Sequence, residues 1–282
     1  MILAFVKYEG AGNDFILIDN RGGAWQDYVA ASIASTGSEK SLIARLCHPK
    51  FGIGADGLML LQDKEGYDFE MVYFNSDGGK SSMCGNGGRC IAAWAFSLGI
   101  GKLENLLNFW APDGAHTATH LPTPTQTSQL PMTEWISLSM NDVDAIHELN
   151  NHSYELNTGS PHFVSIKSED IHQIDLIAWA QGIRYNAPYT EAGINVNAVN
   201  ILDDTHIAMR TYERGVEGET LSCGTGVTAA ALSLATMKSL GGGLIHVSTR
   251  GGDLSVAFSR SPKGFCNIQL QGPARLVFSG IL

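Results

Sequence analysis

Residues 73–93 read YFNSDGGKSSMCGNGGRCIAA, and residues 212–232 read YERGVEGETLSCGTGVTAAAL. Laid over one another, Gly79 meets Gly218, Ser81 meets Thr220 and Cys84 meets Cys223. Gly85 then meets Gly224, Gly87 meets Gly226 and Ala92 meets Ala231. Each copy follows an aromatic, β-like run and leads into an Ala-rich stretch that reads as helix. The same C-G-x-G stands at the same strand-to-helix transition twice, 139 residues apart. A domain-sized period implies two related domains rather than a solenoid.

Working outward, short β-like runs dominate both halves: LAFVKY, FILID, LMLLQ and FEMVYF, then WISLSM, HFVSIK, INVNAVNIL, HIAMRTY, LIHVSTR, LSVAF and CNIQLQG. Helical stretches are expected over 38–47, 87–99, 174–182 and 226–241. The segment HLPTPTQTSQLPMTEW (120–135) has Pro and Thr without periodicity and marks the interior boundary. The expected domains are 1–130 with Cys84, joined by a C-terminal strand 271–282, and 131–270 with Cys223.

The bulk numbers limit the function. The chain has 282 residues and a formal charge of −10, from 18 basic and 28 acidic residues. That balance argues against a nucleic-acid binder, which needs a basic face. No apolar run approaches a membrane span, and MILAFVK lacks the features of a signal peptide. Five widely spread cysteines, an odd number, do not form a disulfide framework. A cytoplasmic protein with no membrane association is expected.

A cysteine just before a helix sees the positive end of the macrodipole and unpaired N–H groups. That setting raises the thiolate fraction. The N–H groups after it can hold a carboxylate, and glycine there allows close approach. With two such sites brought together, one thiolate can take an α-proton from one face of an amino acid. The other thiol can then deliver a proton to the opposite face, with enolate-like charge held by the helix ends. Cys47, Cys90 and Cys266 read instead as core residues.

Three motifs read as decoys. FGIGADG (51–57) matches G-x-G-x-x-G, but a helix precedes it and a strand follows, the reverse of a dinucleotide fold. HTATH (116–120) reads as surface histidines. Cys84 and Cys90 lack zinc-site spacing and a second ligand pair, so no metal is expected.

At these residues the chain resembles the diaminopimelate epimerase family. The resemblance rests on K7-Y-E-G-A-G-N-D-F15, F51-G-I-G-A-D56, N75-S-D-G-G-K-S-S-M-C-G-N-G-G-R-C90, E213-R-G-V-E-G-E-T-L-S-C-G-T-G226 and G193-I-N-V-N197. It implies an α+β fold of two pseudo-symmetric domains, each a curved, mainly antiparallel, barrel-like sheet around a central helix. It implies an isomerase interconverting LL- and meso-diaminopimelate for lysine and peptidoglycan precursors, without a cofactor. Cys84 and Cys223 would be the acid–base pair, supported by His162 and Glu213. Gly85, Asn86, Gly224 and Thr225 would hold the reacting carboxylate. Asn13, Asn75, Asn195, Glu213 and Arg214 would contact the substrate, with Arg214 gripping a distal carboxylate. A small amino acid is the expected partner, and a homodimer the assembly the resemblance suggests. Ser160 and Gly57 replace an Asn and a Gln common in the family, and both changes imply a wider or wetter pocket. Two rivals remain: an isomerase of the same architecture acting on proline, hydroxyproline or a different substrate, and a redox or ligand-binding protein in which Cys84 and Cys223 form a regulatory disulfide. A distal-carboxylate clamp at Arg214 discriminates against the first.

Overall fold

A computed structural model describes residues 2–101, 104–122, 132–150 and 152–282. It divides into two compact units, one of residues 1–138 with 273–282 and one of residues 139–272. The sequence-based boundary at residue 130 lies outside the described residues, as does most of the Thr/Pro-rich segment.

Unit 1 runs β1 (Ala4–Gly10), β2 (Asn13–Asp19), α1 (Ala24–Thr36), α2 (Glu39–Cys47), β3 (Gly57–Gln62), β4 (Phe69–Asn75), α3 (Gly85–Ser97), β5 (Leu106–Ala111), β6 (Gly114–Leu121) and β7 (Thr133–Ser139). Unit 2 runs β8 (Ile146–Asn150), β9 (Ser153–Asn157), β10 (Pro161–Ile166), α4 (Leu176–Arg184), β11 (Asn195–Ile201), β12 (His206–Glu213), β13 (Gly218–Thr220), α5 (Gly224–Met237), β14 (Gly242–Thr249) and β15 (Gly252–Ser261). The last strand, β16 (Gly264–Ile281), passes from unit 2 into unit 1 at Pro273.

The repeat seen in the sequence is a repeat of strand order. In unit 1, β1–β2 is antiparallel, β2–β3 parallel, β3–β4 antiparallel, β4–β5 parallel, and β5–β6 and β6–β7 antiparallel. In unit 2 the same senses recur through β9–β10, β10–β11, β11–β12, β12–β14, β14–β15 and β15–β16. Each parallel pair needs a crossover, and helices fill that need in both units. α3 carries the chain from β4 to β5, and α5 carries it from β12 to β14. β16 pairs with β7 and with β1, which closes the strands of unit 1 into a barrel. In unit 2, a bridge between Val143 and Phe265 returns the segment before β8 to β16.

The two crossover helices are the centres of their units. α3 is buried from Gly85 to Phe96, and α5 is buried from Gly224 to Ala235 except at Thr225. A helix surrounded by sheet must be apolar or small on every side. GNGGRCIAAWAFS and GTGVTAAALSLATM meet that demand, with Asn86 and Arg89 as the exceptions. Small residues let each helix lie close to the strands. A Cβ at Gly88 would stand 2.9 Å from Leu138 Cδ2, and one at Gly87 would collide with the tip of Met59.

Several expectations need correction. α1 was not expected: only Trp25 of its residues is buried, so no apolar stripe marks it in the sequence. α3 and α5 begin two residues earlier than expected, at Gly85 and Gly224. His116 is not a surface group; it is buried in β6 and bonds Asp113 at 2.9 Å. Cys266 lies half-buried on β16 rather than in the core, whereas Cys47 and Cys90 are buried. No helix among the described residues is long and apolar enough to cross a membrane.

Candidate active site

The two cysteines occupy the same structural position. Cys84 is the N-cap of α3 with φ −116° and ψ 121°; Cys223 is the N-cap of α5 with φ −128° and ψ 112°. Both are half-buried, and neither side chain makes the capping hydrogen bond. The first helical bonds run from Gly88 N–H to Cys84 O at 2.7 Å and from Val227 N–H to Cys223 O at 2.8 Å. The N–H groups of Gly85, Asn86 and Gly87 therefore have no partner within α3. Those of Gly224, Thr225 and Gly226 have none within α5. Three N–H groups at the positive end of a helix suit a carboxylate.

In unit 1 the helix start is braced from below by Arg89. Its guanidinium is fully buried and donates to Gly85 O at 3.2 Å, to Asn86 Oδ1 at 2.9 Å and to Pro273 O at 3.4 Å. Burial lowers its pKa to about 10, while the neighbouring Cys90, Cys84 and Glu9 oppose the shift. Asn86, so held, donates to Asn13 Oδ1 at 2.7 Å, and Asn13 donates to Asp56 Oδ2 at 2.9 Å. Asp56 N–H in turn bonds Asp14 Oδ1 at 3.0 Å, and Lys7 pairs with Asp14 at 2.7 Å. The chain of contacts joins the first two sequence motifs to the cysteine motif. It brings together Asn13, Gly85 and Asn86. Asn75, at the end of β4, is exposed and its backbone closes a turn with Gly78 and Gly79.

Arg89 and Cys90, neighbours on α3, do not share one role. Cys90 is fully buried, and burial pushes its thiol up, which makes it a poor base. Its sulfur would stand 3.0 Å from a Cβ at Gly10, so that glycine is required by the close approach of β1 to α3. Arg89, by contrast, orders Asn86. The sequence signal was an arginine in a stretch of glycine and alanine, where a solvated cation has no place.

In unit 2 the helix start meets a line of polar side chains. His162 Nε2 lies 2.9 Å from Thr225 Oγ1, which lies 3.4 Å from Cys223 Sγ. On its other side, His162 Nδ1 lies 3.1 Å from Asn197 Nδ2. His162 is fully buried, and burial, helped by the charge of Arg214, lowers its pKa to about 3. The ring is therefore neutral at neutral pH. Asn195 is also buried: it donates to Ser160 Oγ at 2.8 Å and Pro161 O at 3.0 Å, and accepts from the Arg214 backbone N–H at 2.9 Å. Arg214 itself is exposed and donates to Ala192 O at 2.9 Å. A Cβ at Gly193, where φ is +72°, would stand 2.6 Å from Arg214 Cδ. Glu213, half-buried, ends β12 beside Arg214. Unit 2 thus brings His162, Thr225 and Cys223 into one line, and Asn195 and Arg214 into another.

Sequence reasoning missed Asn197 and Thr211. A signal was present: in Ile194-Asn195-Val196-Asn197, polar and apolar residues alternate with the strand period, so both asparagines share one face. Gly57 needs a correction. It is buried at the start of β3, and a Cβ there would stand 2.5 Å from both Phe74 O and the Tyr73 ring. Nothing larger fits, so Gly57 is a packing position and does not widen a pocket. Ser160 accepts from Asn195 Nδ2, so its hydroxyl serves as a support for that side chain. FGIGAD lies between α2 and β3, a helix-to-strand loop. Among the described residues no group of three or more His, Cys, Asp or Glu side chains is placed to hold a metal ion.

Two units of matching strand order, each with a cysteine capping its central helix, define a duplicated-barrel protein with one helix-capping thiol per unit. This fold is shared by a phenazine biosynthesis protein of the PhzF family from Bacillus anthracis, at TM-score 0.68 and 12% identity over 100% of this chain and 99% of that one. It is shared also by a hydroxyproline epimerase from Agrobacterium vitis, at TM-score 0.61 and 14% identity over 100% and 92%. Sequence narrows the class. The profile for diaminopimelate epimerase matches residues 5–116 and 154–277. A diaminopimelate epimerase from Flavobacterium psychrophilum is 43% identical over 272 residues, covering 96% of this chain and 97% of that protein. The chain belongs to the diaminopimelate epimerase family.

Proposed function

We propose that the protein interconverts LL- and meso-diaminopimelate by proton transfer at the α-carbon, with Cys84 and Cys223 as the two acid–base groups, in the reducing cytoplasm. The observation that supports this reading is the matched geometry of the two cysteine N-caps: each thiol stands at a helix start whose first N–H groups have no partner within the helix. One thiolate takes the α-proton: the C–H bond breaks, an S–H bond forms, and the electron pair moves toward the carboxylate. The N–H groups of a helix start stabilise that charge as it develops. The other thiol protonates the opposite face and leaves as thiolate. No electron is gained or lost overall, and the thiols exchange protonation states at each turnover. Arg214 supplies a cation for a distal carboxylate, which a proline-type substrate lacks.

The test is solvent exchange. Reduced protein is incubated with LL-diaminopimelate in heavy water, and α-deuteration and meso product are followed by NMR. Cys84→Ala and Cys223→Ala should lose epimerisation by 10³-fold or more, by about the amount an essential acid–base group contributes. Cys90→Ala should retain it. Absence of exchange by folded, reduced wild-type protein would overturn the reading, and so would a folded Cys90→Ala as inactive as the other two.

A further inference from the structure

We infer that Asn197 is a positioning residue: it fixes the proton on Nε2 of His162, so that a run of hydrogen bonds through Thr225 ends as a donor to the Cys223 sulfur. The inference rests on the reading of Cys223 as an acid–base group and says how its thiolate is favoured.

The argument is one of polarity. Asn197 Nδ2 lies 3.0 Å from Phe163 O, a backbone carbonyl that only accepts. The atom facing it must therefore be the amide NH2 and not the amide oxygen, which settles the orientation of the side chain. The second hydrogen of that NH2 points to His162 Nδ1, at 3.1 Å. Asn197 Oδ1 then accepts from the Thr211 hydroxyl at 2.9 Å, which holds the amide from behind. All three groups are buried: Asn197 and His162 are fully so, and Thr211 is 2% exposed. An alternative arrangement would leave a buried polar atom facing another of its own kind.

Because Nδ1 accepts, a neutral ring must carry its proton on Nε2. Burial holds His162 neutral, so the doubly protonated ring does not compete. Nε2–H then donates to Thr225 Oγ1 at 2.9 Å, and the same hydroxyl lies 3.4 Å from Cys223 Sγ, so with Nε2 donating to its oxygen its own hydrogen is free to serve the sulfur. Thr225 is itself pinned, since its carbonyl accepts from Thr158 Oγ1 at 2.8 Å. A donor aimed at sulfur stabilises thiolate over thiol. Gly226 shows how tightly the line is built: a Cβ there would stand 2.8 Å from Asn197 Oδ1 and 3.3 Å from His162 Cε1. The cation of Arg214 acts on the same imidazole, and α5 has no acidic residue in its first turn.

The test reads the tautomer and the thiolate separately from catalysis. Nitrogen-15 NMR of ring-labelled wild-type protein should show His162 as the Nε2–H tautomer. Asn197→Asp places an acceptor opposite Nδ1 and should turn the ring to Nδ1–H. Thr225 must then donate back to His162, and the donor to sulfur is lost. Alkylation of Cys223 by iodoacetamide at pH 7.5, followed on its peptide by mass spectrometry in reduced full-length protein, should slow about tenfold, the effect of one charge-assisted hydrogen bond. Thr225→Val should slow it equally, and Thr225→Ser should restore it to within about twofold. This pair decides the matter if Asn197→Asp does not fold. An Nδ1–H tautomer in the wild type, or a Thr225→Val protein alkylated at the wild-type rate, overturns the inference. None of these readouts needs epimerase activity, so the inference can fail while the proposed function stands.

Discussion

Replacing His162 with Gln should flatten the acid side of the stability curve. His162 is buried with its pKa lowered from 6.5 to about 3, by burial first and by Arg214 second. In the unfolded chain the ring takes up a proton below pH 6.5, whereas in the folded protein it stays neutral until about pH 3. Unfolding therefore binds a proton in this window, and stability falls as the pH falls through it. Each pH unit well below 6.5 costs about 1.4 kcal/mol. Between pH 7.5 and 4.5 the loss owed to this one ring is about 2.7 kcal/mol. Gln keeps an amide donor and acceptor at the site and does not titrate. His162→Gln starts lower at pH 7.5, but its stability should fall by about 2.7 kcal/mol less over the window. With a urea m-value of about 1–3 kcal/mol/M, the difference is a midpoint shift of about 1–3 M. The assay is urea unfolding at four pH values for both proteins, read from Trp179, the tryptophan of unit 2. Other groups titrate alike in both proteins and cancel. Curves that run parallel within about 0.5 kcal/mol, set against the linkage expected for a buried neutral ring, would refute it.

Two further substitutions probe the supports of each half-site. Arg89→Met keeps the buried stem and removes the donors to Gly85 O, Asn86 Oδ1 and Pro273 O. It should cost about 2 kcal/mol in thermal unfolding and lower kcat more than it raises KM; wild-type values for both would show that Arg89 does not order Asn86. Gly193→Ala forces φ +72° on a residue with a Cβ and pushes on Arg214 Cδ. It should raise KM about tenfold with a stability loss of about 1–2 kcal/mol, and an unchanged KM would separate Arg214 from substrate binding.

The duplication was legible because it is written in residues that backbone geometry restricts. A cysteine cap followed by glycine cannot drift without losing either the thiol or the close approach, so the two copies still align. The central helices were legible from their uniform small-residue character. α1 was not, because a helix that buries only Trp25 leaves no periodic trace. His116 misled because its burial comes from a partner, Asp113, supplied by the turn before β6. Arg89 and Asn197 went unassigned for a related reason. Their roles lie in what they hold, and a residue three positions along the helix or 35 along the chain gives no local sign of its partner. Gly57 was misjudged in the other direction: an absent side chain reads as space in a sequence, but Phe74 and Tyr73 already fill it.

The backbone repeats, and the chemistry around it does not. Under the proposed function this difference has a cause. Two thiols that exchange roles at each turnover need the same helix-end environment, because each must act as base in one direction and acid in the other. The matched φ and ψ at Cys84 and Cys223 supply that. Their supports are set on different principles: a buried cation bracing Asn86 in unit 1, and a neutral imidazole line to the sulfur in unit 2. A cation near one helix start favours negative charge broadly, on the carboxylate and the thiolate alike. A directed hydrogen bond favours it at one atom. Thr225→Val should therefore change the reactivity of Cys223 and leave that of Cys84 nearly untouched, because its hydroxyl reaches only one sulfur's line of bonds. Arg89→Met should do the reverse, slowing alkylation of Cys84 while Cys223 reacts at its wild-type rate. If either substitution slowed both thiols equally, the asymmetry would be decoration on a symmetric pair, and the division of labour argued from Arg89 and His162 would fail.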